Sequence, residues 1–212
     1  DSLLPPIMGN NYEIGWKGTW NGGRLNTSLA AYLTDKDNNN QRVNPPAGSG
    51  RQAYWTSLDQ RSKGVEAEIS GSITDRWNIF AGYTFNRSTN RNTIQENIAS
   101  RQAGYNFSSH TPKHMFRLYT SYTLPFDSDK WTVGLGINSS KSSTSGGTIR
   151  QGGYTVWNAN LQYRPTKQIQ LSLAVNNLTD KRYYANQYSR SFNSGNFYGE
   201  PRNVLLGFKW KM

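Results

Sequence analysis

The sequence predicts an all-β fold: the wall of an antiparallel transmembrane β-barrel, with short periplasmic turns and long extracellular loops. Three observations predict it. Apolar and polar residues alternate with period two, short and long connections alternate, and aromatic side chains collect beside the short connections. Composition points the same way. Of the 212 residues, 34% are hydrophobic and 13% aromatic, with 7 Trp and 13 Tyr. No stretch approaches the roughly 18 consecutive apolar residues that a membrane-spanning helix needs. A chain this rich in aromatic and β-branched residues is not a disordered one.

The strands follow in order. Over 12–20, Tyr12, Ile14, Trp16 and Trp20 lie on one side, with Glu13, Lys17 and Thr19 on the other. Over 24–34, Leu25, Leu29, Ala31 and Leu33 oppose Asn26, Ser28, Tyr32 and Thr34. Over 63–73, Val65, Ala67, Ile69 and Ile73 oppose Glu66, Glu68, Ser70 and Ser72. Trp77, Ile79, Ala81, Tyr83 and Phe85 then alternate with Asn78, Thr84 and Asn86. Two further strands carry Phe116, Leu118, Tyr122 and Leu124, and Trp131, Val133, Leu135 and Ile137. Trp157, Ala159, Leu161 and Tyr163 mark the next, and Ile169, Leu171, Leu173 and Val175 the one after. The last strand has Val204, Leu206, Phe208, Trp210 and Met212 on one face, with Asn203, Lys209 and Lys211 on the other. No comparable segment repeats at helical spacing. That makes about nine strands of roughly 9–12 residues, the length that crosses a bilayer when tilted.

Alternation alone fits a soluble sandwich equally well, so the connections decide. Asn21–Gly23, Thr74–Arg76, Pro125–Lys130 and Pro165–Lys167 are short. Residues 35–60, 87–112, 141–153 and 177–200 read as long polar loops, and the two kinds alternate throughout. Membrane barrels have this asymmetry, whereas several structureless loops of such length count against a soluble domain. Trp20, Trp77, Trp131, Tyr163 and Trp210 stand beside the short connections or the last strand's end, with Tyr122 one position further in. One rim thus receives an interfacial aromatic girdle. Nine strands whose last one descends must begin with a descending strand. An odd set of that kind cannot close on itself, and lipid tolerates no open edge. The expectation is that residues 1–212 are the C-terminal part of a larger barrel.

The charge of +11 comes from basic residues scattered along the chain with no run of three. This suits solubility and contact with anionic headgroups of outer-membrane lipid and lipopolysaccharide. Nucleic acid would call for a clustered basic face interleaved with aromatics. Without cysteine there is no disulfide scaffold, thiol nucleophile or thiolate-held metal. His110 and His114 have a metal-like spacing in HTPKH. Pro112 breaks any helix between them, and the glutamate that a zinc hydrolase uses as base is missing. An omptin-like protease or a pore is the alternative for a small free-standing barrel. The protease would need Asp35, Asp37 or Asp59 at a strand top to meet His110. The GTIRQGG stretch lacks the end of a phosphate-binding loop.

Five segments in order, PPIMGNNYEIGWKG, GVEAEISG, TPKHMFRLYTSY, VNNLTDKRYY and YGEPRNVLLGFKWKM, resemble the C-terminal half of TonB-dependent ferric-siderophore outer-membrane receptors. The likeness is nearest to the hydroxamate-type branch. It implies a 22-stranded barrel plugged by an N-terminal domain, which fits the plugged lumen of barrels that size. It also implies transport of a ferric siderophore, driven by the TonB–ExbB–ExbD complex through the plug. Iron would travel on the siderophore's own oxygens, so no cofactor, metal site or catalytic residue is expected. Ligand contacts are expected from loop aromatics and donors: Tyr54, Trp55, Tyr105, Tyr188, Tyr198 and Arg190, with Phe107, Phe197, Arg42, Arg51, Arg101 and Arg150 as further candidates. Phe192, in SFNSGNFYGEPRN, matches the phenylalanine of the family's last extracellular loop that contacts siderophore. Inward residues Glu66, Glu68, Arg117, Lys209 and Lys211 are expected to pair with one another or with the plug.

Overall fold

The computed structural model describes residues 4–45, 48–145, 149–187 and 195–211. The strands are β1 (Met8–Trp20), β2 (Leu25–Val43), β3 (Tyr54–Thr74), β4 (Trp77–Asn90), β5 (His114–Thr123), β6 (Trp131–Ser140), β7 (Ser143–Ser145), β8 (Ile149–Gln151), β9 (Tyr154–Tyr163), β10 (Ile169–Asn176), β11 (Tyr184–Asn186), β12 (Phe197–Tyr198) and β13 (Asn203–Trp210). Nine of them form one sheet in the order β1-β2-β3-β4-β5-β6-β9-β10-β13. The strand pairs β7-β8 and β11-β12 are separate small sheets in the connections that follow β6 and β10. All four short connections stand where the sequence puts them.

Two expectations need correction. The stretch 35–60 is not one long loop: β2 runs on to Val43 and β3 already starts at Tyr54. These strands have 19 and 21 residues, well beyond the expected length. Their upper parts are polar on both faces, so no alternation marks them. Polar ladders hold them instead. The second correction concerns 141–153 and 177–200, which carry the β7-β8 and β11-β12 pairs.

The chain falls into two compact units. One comprises Asp1–Gly15, Ala30–Val65 and Asn86–Ser109. Arg61 grips Asp35 there through two parallel bonds, Nε–Oδ1 and Nη2–Oδ2, both 2.7 Å. Such a two-pronged pair has the strongest side-chain geometry available. Arg91 bonds Asp37 at 2.8 Å, and Asn38 N–H donates to Asp59 at 3.0 Å. On the alternate residues, Gln60 donates to Asn90 (3.3 Å) and the Ser62 and Ser88 hydroxyls meet at 2.8 Å.

The other unit comprises Trp16–Leu29, Glu66–Phe85 and His110–Met212. Its register fixes two faces. Trp77, Tyr122, Val133, Leu161, Leu173 and Leu206 are consecutive partners across β4, β5, β6, β9, β10 and β13. The neighbouring row of Asn78, Ser121, Gly134, Asn160 and Ala174 faces the opposite way. The apolar face covers no core. Leu206 is 84% exposed and Phe208 69%. Among the described residues only Val43, Leu58 and Val156 are buried hydrophobics. A soluble sandwich would cover such a face; hydrocarbon is the solvent that suits it.

The girdle descends stepwise along the sheet. Trp77 pairs with Tyr122, Trp131 with Tyr163 one rung lower, and Trp210 with Ile169 one rung lower again. This is the stagger of tilted barrel strands. Trp131 and Tyr163 stack at 4.2 Å. Indole N–H groups donate from Trp20 to Thr27 (2.9 Å), from Trp77 to Thr120 (2.7 Å) and from Trp131 to Asp127 (3.2 Å), so each keeps its polar atom partnered at the interface.

Faces are testable by substitution. Leu171→Lys places a cation on the lipid side and should cost about 2–4 kcal/mol of barrel stability, whereas Ser172→Lys on the inner side should cost less. Urea titration of the refolded barrel in vesicles measures both. Gly134 is no equivalent inner control, because a Cβ there would come within 2.6 Å of the Asn160 side chain.

Candidate functional site

The inner face of the second unit opens into a cleft of about 530 Å³ at the upper ends of β5, β6, β9 and β10. Its strand-borne walls follow from register. Arg117 on β5 lies opposite Asn138 on β6, which lies opposite Val156 on β9. On the other side Arg117 faces Gly82, so nothing crowds the guanidinium there. Neither Arg117 nor Asn138 has a hydrogen-bond or ion-pair partner among the described residues. Two free donor groups therefore sit side by side on the wall of an open cleft.

The roof comes from the β10–β13 connection, and here the NNLTDKRYY and YGEPRN segments explain themselves. Asn177 is 2% exposed. Its carboxamide nitrogen donates to the carbonyls of Lys181 and Glu200, both at 2.9 Å. Its carboxamide oxygen accepts from Lys181 N–H at 2.7 Å, and its own N–H donates to Asn158 at 2.9 Å. Asn177 adopts φ 50°, a left-handed conformation that asparagine tolerates better than most residues. Asp180 accepts from Arg202 N–H at 2.9 Å. Gly199 N–H donates to Tyr183 O at 2.9 Å. A side chain at Gly199 would run into the Tyr183 ring, and that ring stacks on Tyr154 at 4.4 Å. Burial, followed by the charges of Tyr154 and Glu200, holds the Tyr183 hydroxyl above its ordinary pKa. The two segments thus clasp each other over the cleft, and Tyr183 and Glu200 reach its lining.

Above the clasp, Tyr184 and Tyr198 stack at 4.6 Å, and their hydroxyls meet at 3.2 Å. The Arg182 guanidinium lies 4.2 Å over the Tyr198 ring, a cation–π geometry. The bond between the hydroxyls raises the pKa of Tyr184 and lowers that of Tyr198, with Arg182 adding to the latter. Tyr198 and its neighbour Phe197, 50% and 63% exposed, form an open aromatic surface.

The other expected contacts divide. Tyr54 and Trp55 open β3 rather than belonging to a loop, and both are exposed, at 49% and 58%. Tyr105 is half-buried, and its carbonyl accepts from Asn90 N–H at 3.0 Å. Asn90, 3% exposed, also reaches the Ser100 and Gln102 carbonyls at 3.0 and 3.2 Å. Tyr105 thus lies in a braced loop. Phe107 is half-buried; Arg42, Arg51 and Arg150 are exposed. Arg101 donates to the Arg42 carbonyl at 2.8 Å and is a loop brace. Tyr188, Arg190 and Phe192 lie outside the described residues. No ion pair joins Glu66, Glu68, Arg117, Lys209 and Lys211 among the described residues, contrary to the first of the two expected pairings. Asp35 and Asp37 are taken by arginines, which removes them as free bases for hydrolysis. No three His, Asp or Glu side chains gather as metal ligands among the described residues.

Sequence reasoning placed Arg117 inward and missed Asn138, although its parity in β6 put it there. Asn177→Ala leaves two carbonyls and an N–H of the part-buried clasp without their partner. The cost should be about 1–3 kcal/mol for each group left unsatisfied. Hydrogen exchange should quicken in 177–183 and 199–203 while β5 and β6 keep their protection.

Comparison with known proteins places the chain. The family model described as TonB dependent receptor-like, beta-barrel matches residues 1–178. The ferric-pyoverdine M114 receptor PbuA of Pseudomonas sp. (strain M114) is 35% identical over 213 residues, which cover 98% of this chain and 25% of that protein. The pyoverdine outer membrane receptor FpvA of Pseudomonas aeruginosa PAO1, solved bound to pyoverdine, superposes with a TM-score of 0.79 at 30% identity. That match covers 99% of this chain and 30% of the other. The ferric-catecholate import receptor Fiu of Escherichia coli K12, in its closed form, gives a TM-score of 0.76 at 28% identity over 98% of this chain and 28% of its own. The chain thus spans about a quarter of the length of the curated relatives it matches.

Proposed function

We propose, from the premise that this chain belongs to the TonB-dependent receptor-like β-barrel family, that it forms the C-terminal part of an outer-membrane receptor that imports ferric siderophore. The observation that carries this reading is the inner cleft with its unpartnered Arg117 and Asn138, roofed by the clasp that the family segments build. A ferric siderophore presents an array of oxygens around the metal and carries amphipathic arms. Guanidinium and carboxamide donors suit the oxygens, and the open aromatic surface of Phe197 and Tyr198 suits the arms. Iron is cargo held by its chelator and needs no ligand from this chain.

The relatives carry names of pyoverdine and catecholate receptors. They support siderophore as the class; the hydroxamate-type assignment has the sequence resemblance as its support. Energy for uptake would come from TonB with ExbB and ExbD, acting through a plug outside residues 1–212. Glu66 and Glu68, inward and free of ion pairs among the described residues, are available to that plug. The relatives are transport receptors, which favours this reading over a free-standing pore or protease.

The test is binding of a panel of ferric siderophores to the intact receptor, read by quenching of tryptophan fluorescence. One ferric siderophore should bind well ahead of the iron-free chelators, and no binding by any would end the reading. Phe192 supplies a sharper arm. Burial of a loop phenylalanine against the ligand is worth roughly 1.5–3 kcal/mol. Phe192→Ala should therefore weaken binding about tenfold or more, since about 1.4 kcal/mol is a factor of ten. Heat resistance of the barrel should not change. Phe107→Ala, which removes a half-buried ring from another loop, should affect affinity less.

A further inference from the structure

Tyr184 and Tyr198 offer more than ring surface. They are direct partners across β11 and β12, and side chains at such facing positions of antiparallel strands meet. The pairing gains one residue between Tyr184 and Asn186, and a bulge of this kind re-aims the side chain beside it. The two rings lie 17° from parallel with centroids 4.6 Å apart. Both hydroxyls leave the stack at the same end, where Tyr198 Oη donates to Tyr184 Oη at 3.2 Å. The backbone around them is braced. Tyr184 N–H donates to Gln151 Oε1 at 2.8 Å, the Asn186 carboxamide to the Gly195 carbonyl at 2.8 Å, and Gly199 N–H to the Tyr183 carbonyl at 2.9 Å.

Packing explains a stack of rings, as it does for Tyr154 and Tyr183, the latter enclosed by Gly199. It does not explain two phenol oxygens held together at an exposed site, where a hydroxyl pair gains little over hydration by water. A metal ion explains it. Adjacent corners of an octahedron with metal–oxygen bonds of about 2.1 Å are about 3.0 Å apart, which matches the spacing of the two oxygens. Phenolate is a hard oxygen donor and serves iron as a ligand. The Arg182 guanidinium, 4.2 Å over the Tyr198 ring, offsets negative charge that coordination leaves there. No cluster of His, Asp or Glu completes a metal site among the described residues. The other donor atoms must therefore arrive with the metal.

We propose that Tyr184 and Tyr198 bind the iron of a tetradentate ferric chelate directly, taking as phenolates the two coordination positions that a four-donor chelator leaves open. The step is a ligand exchange. Two iron–water bonds break, two iron–phenolate bonds form, both phenol protons pass to solvent, and the iron stays ferric throughout. A chelator with six donor atoms closes the iron shell and asks nothing of the pair, so the pair sorts cargo by its open positions. The proposal rests on the ferric-siderophore reading and deepens it.

The test is resonance Raman spectroscopy of the intact receptor with two probes that carry no aromatic ring: the one-to-one ferric complex of a linear dihydroxamate, and the ferric complex of a trihydroxamate. The dihydroxamate complex should bring up tyrosinate ring modes. Tyr184→Phe/Tyr198→Phe, which keeps the stacked rings and removes both oxygens, should abolish them. The trihydroxamate complex should show none with either protein. The double variant should also lose at least about tenfold more affinity for the four-donor complex than for the six-donor one, a difference of about 1.4 kcal/mol. Heat-modifiable mobility on gels establishes that the variant is a folded barrel. Absence of tyrosinate modes in the parent, modes that survive in the double variant, or equal losses for the two complexes each overturn the proposal and leave the receptor reading standing. Ferric nitrilotriacetate, a four-donor chelate that is not a siderophore, separates the two readings. Tyrosinate modes with it that vanish in the double variant, where no ferric siderophore binds, remove the receptor function and leave the tyrosine pair as an iron site.

Discussion

In hydrocarbon a backbone N–H or C=O has no water to turn to, so each strand must be saturated by its neighbours. Everything else here depends on that ladder. The pairing from β4 through β13 runs in one unbroken antiparallel register. Because side chains alternate with period two, one slipped rung would turn Leu171 and Leu173 of β10 and Leu206 and Phe208 of β13 into the lumen and Ser172 and Lys209 into lipid. The register is therefore enforced by solvent on one side as well as by hydrogen bonds along the strands. Tight turns help to fix it. Asn21 and Gly22 adopt φ 51° and 63°, and Asp127, Ser128 and Asp129 all adopt positive φ. These residue types, glycine above all, tolerate the left-handed region that a reversal this short demands.

The ladder also accounts for what the sequence made legible. Where one face meets lipid, that face stays apolar at every second residue, and the strands, short turns, girdle and inward residues could be read from it. Above the bilayer both faces are wet, so selection for alternation lapses. Asp35, Asp37 and Asn39 in β2 and Tyr54, Asp59 and Gln60 in β3 look like loop in sequence although they are strand. Their order comes from the Asp35–Arg61 pair and from side-chain amide and hydroxyl ladders. These are long-range pairings that no local period announces. Tyr54 and Trp55 were misplaced for the same reason.

The site was legible in kind and illegible in detail. The segments around Asn177 and Gly199 were recognisable as motifs. Their role as a clasp depends on Asn177 meeting Glu200, 23 positions on, and on Tyr183 meeting Gly199 across the same connection. Asn138 carries no motif and draws its meaning from standing beside Arg117. Gly134 taught the converse lesson. Parity marks it as an inward, tolerant position, yet Asn160 fills the space above it. A glycine in a strand often records such a close approach.

The two faces treat polar groups by opposite rules, and the difference places the chemistry. On the outward face a polar group within the band must be tied down, as the indoles are by Thr27, Thr120 and Asp127. On the inward face water is at hand, so an unpaired Arg117 carries no desolvation penalty and remains available to a ligand that brings oxygens. Free donors are therefore informative in this wall according to height and side. Inside they are open to whatever passes through the lumen. The clasp lies where the inner cleft meets the β10–β13 connection, so Tyr183 and Glu200 share one lining with the free guanidinium of Arg117. Arg117 and Asn138, fixed side by side on their strands by register, can meet an oxygen-rich ligand that enters that cleft.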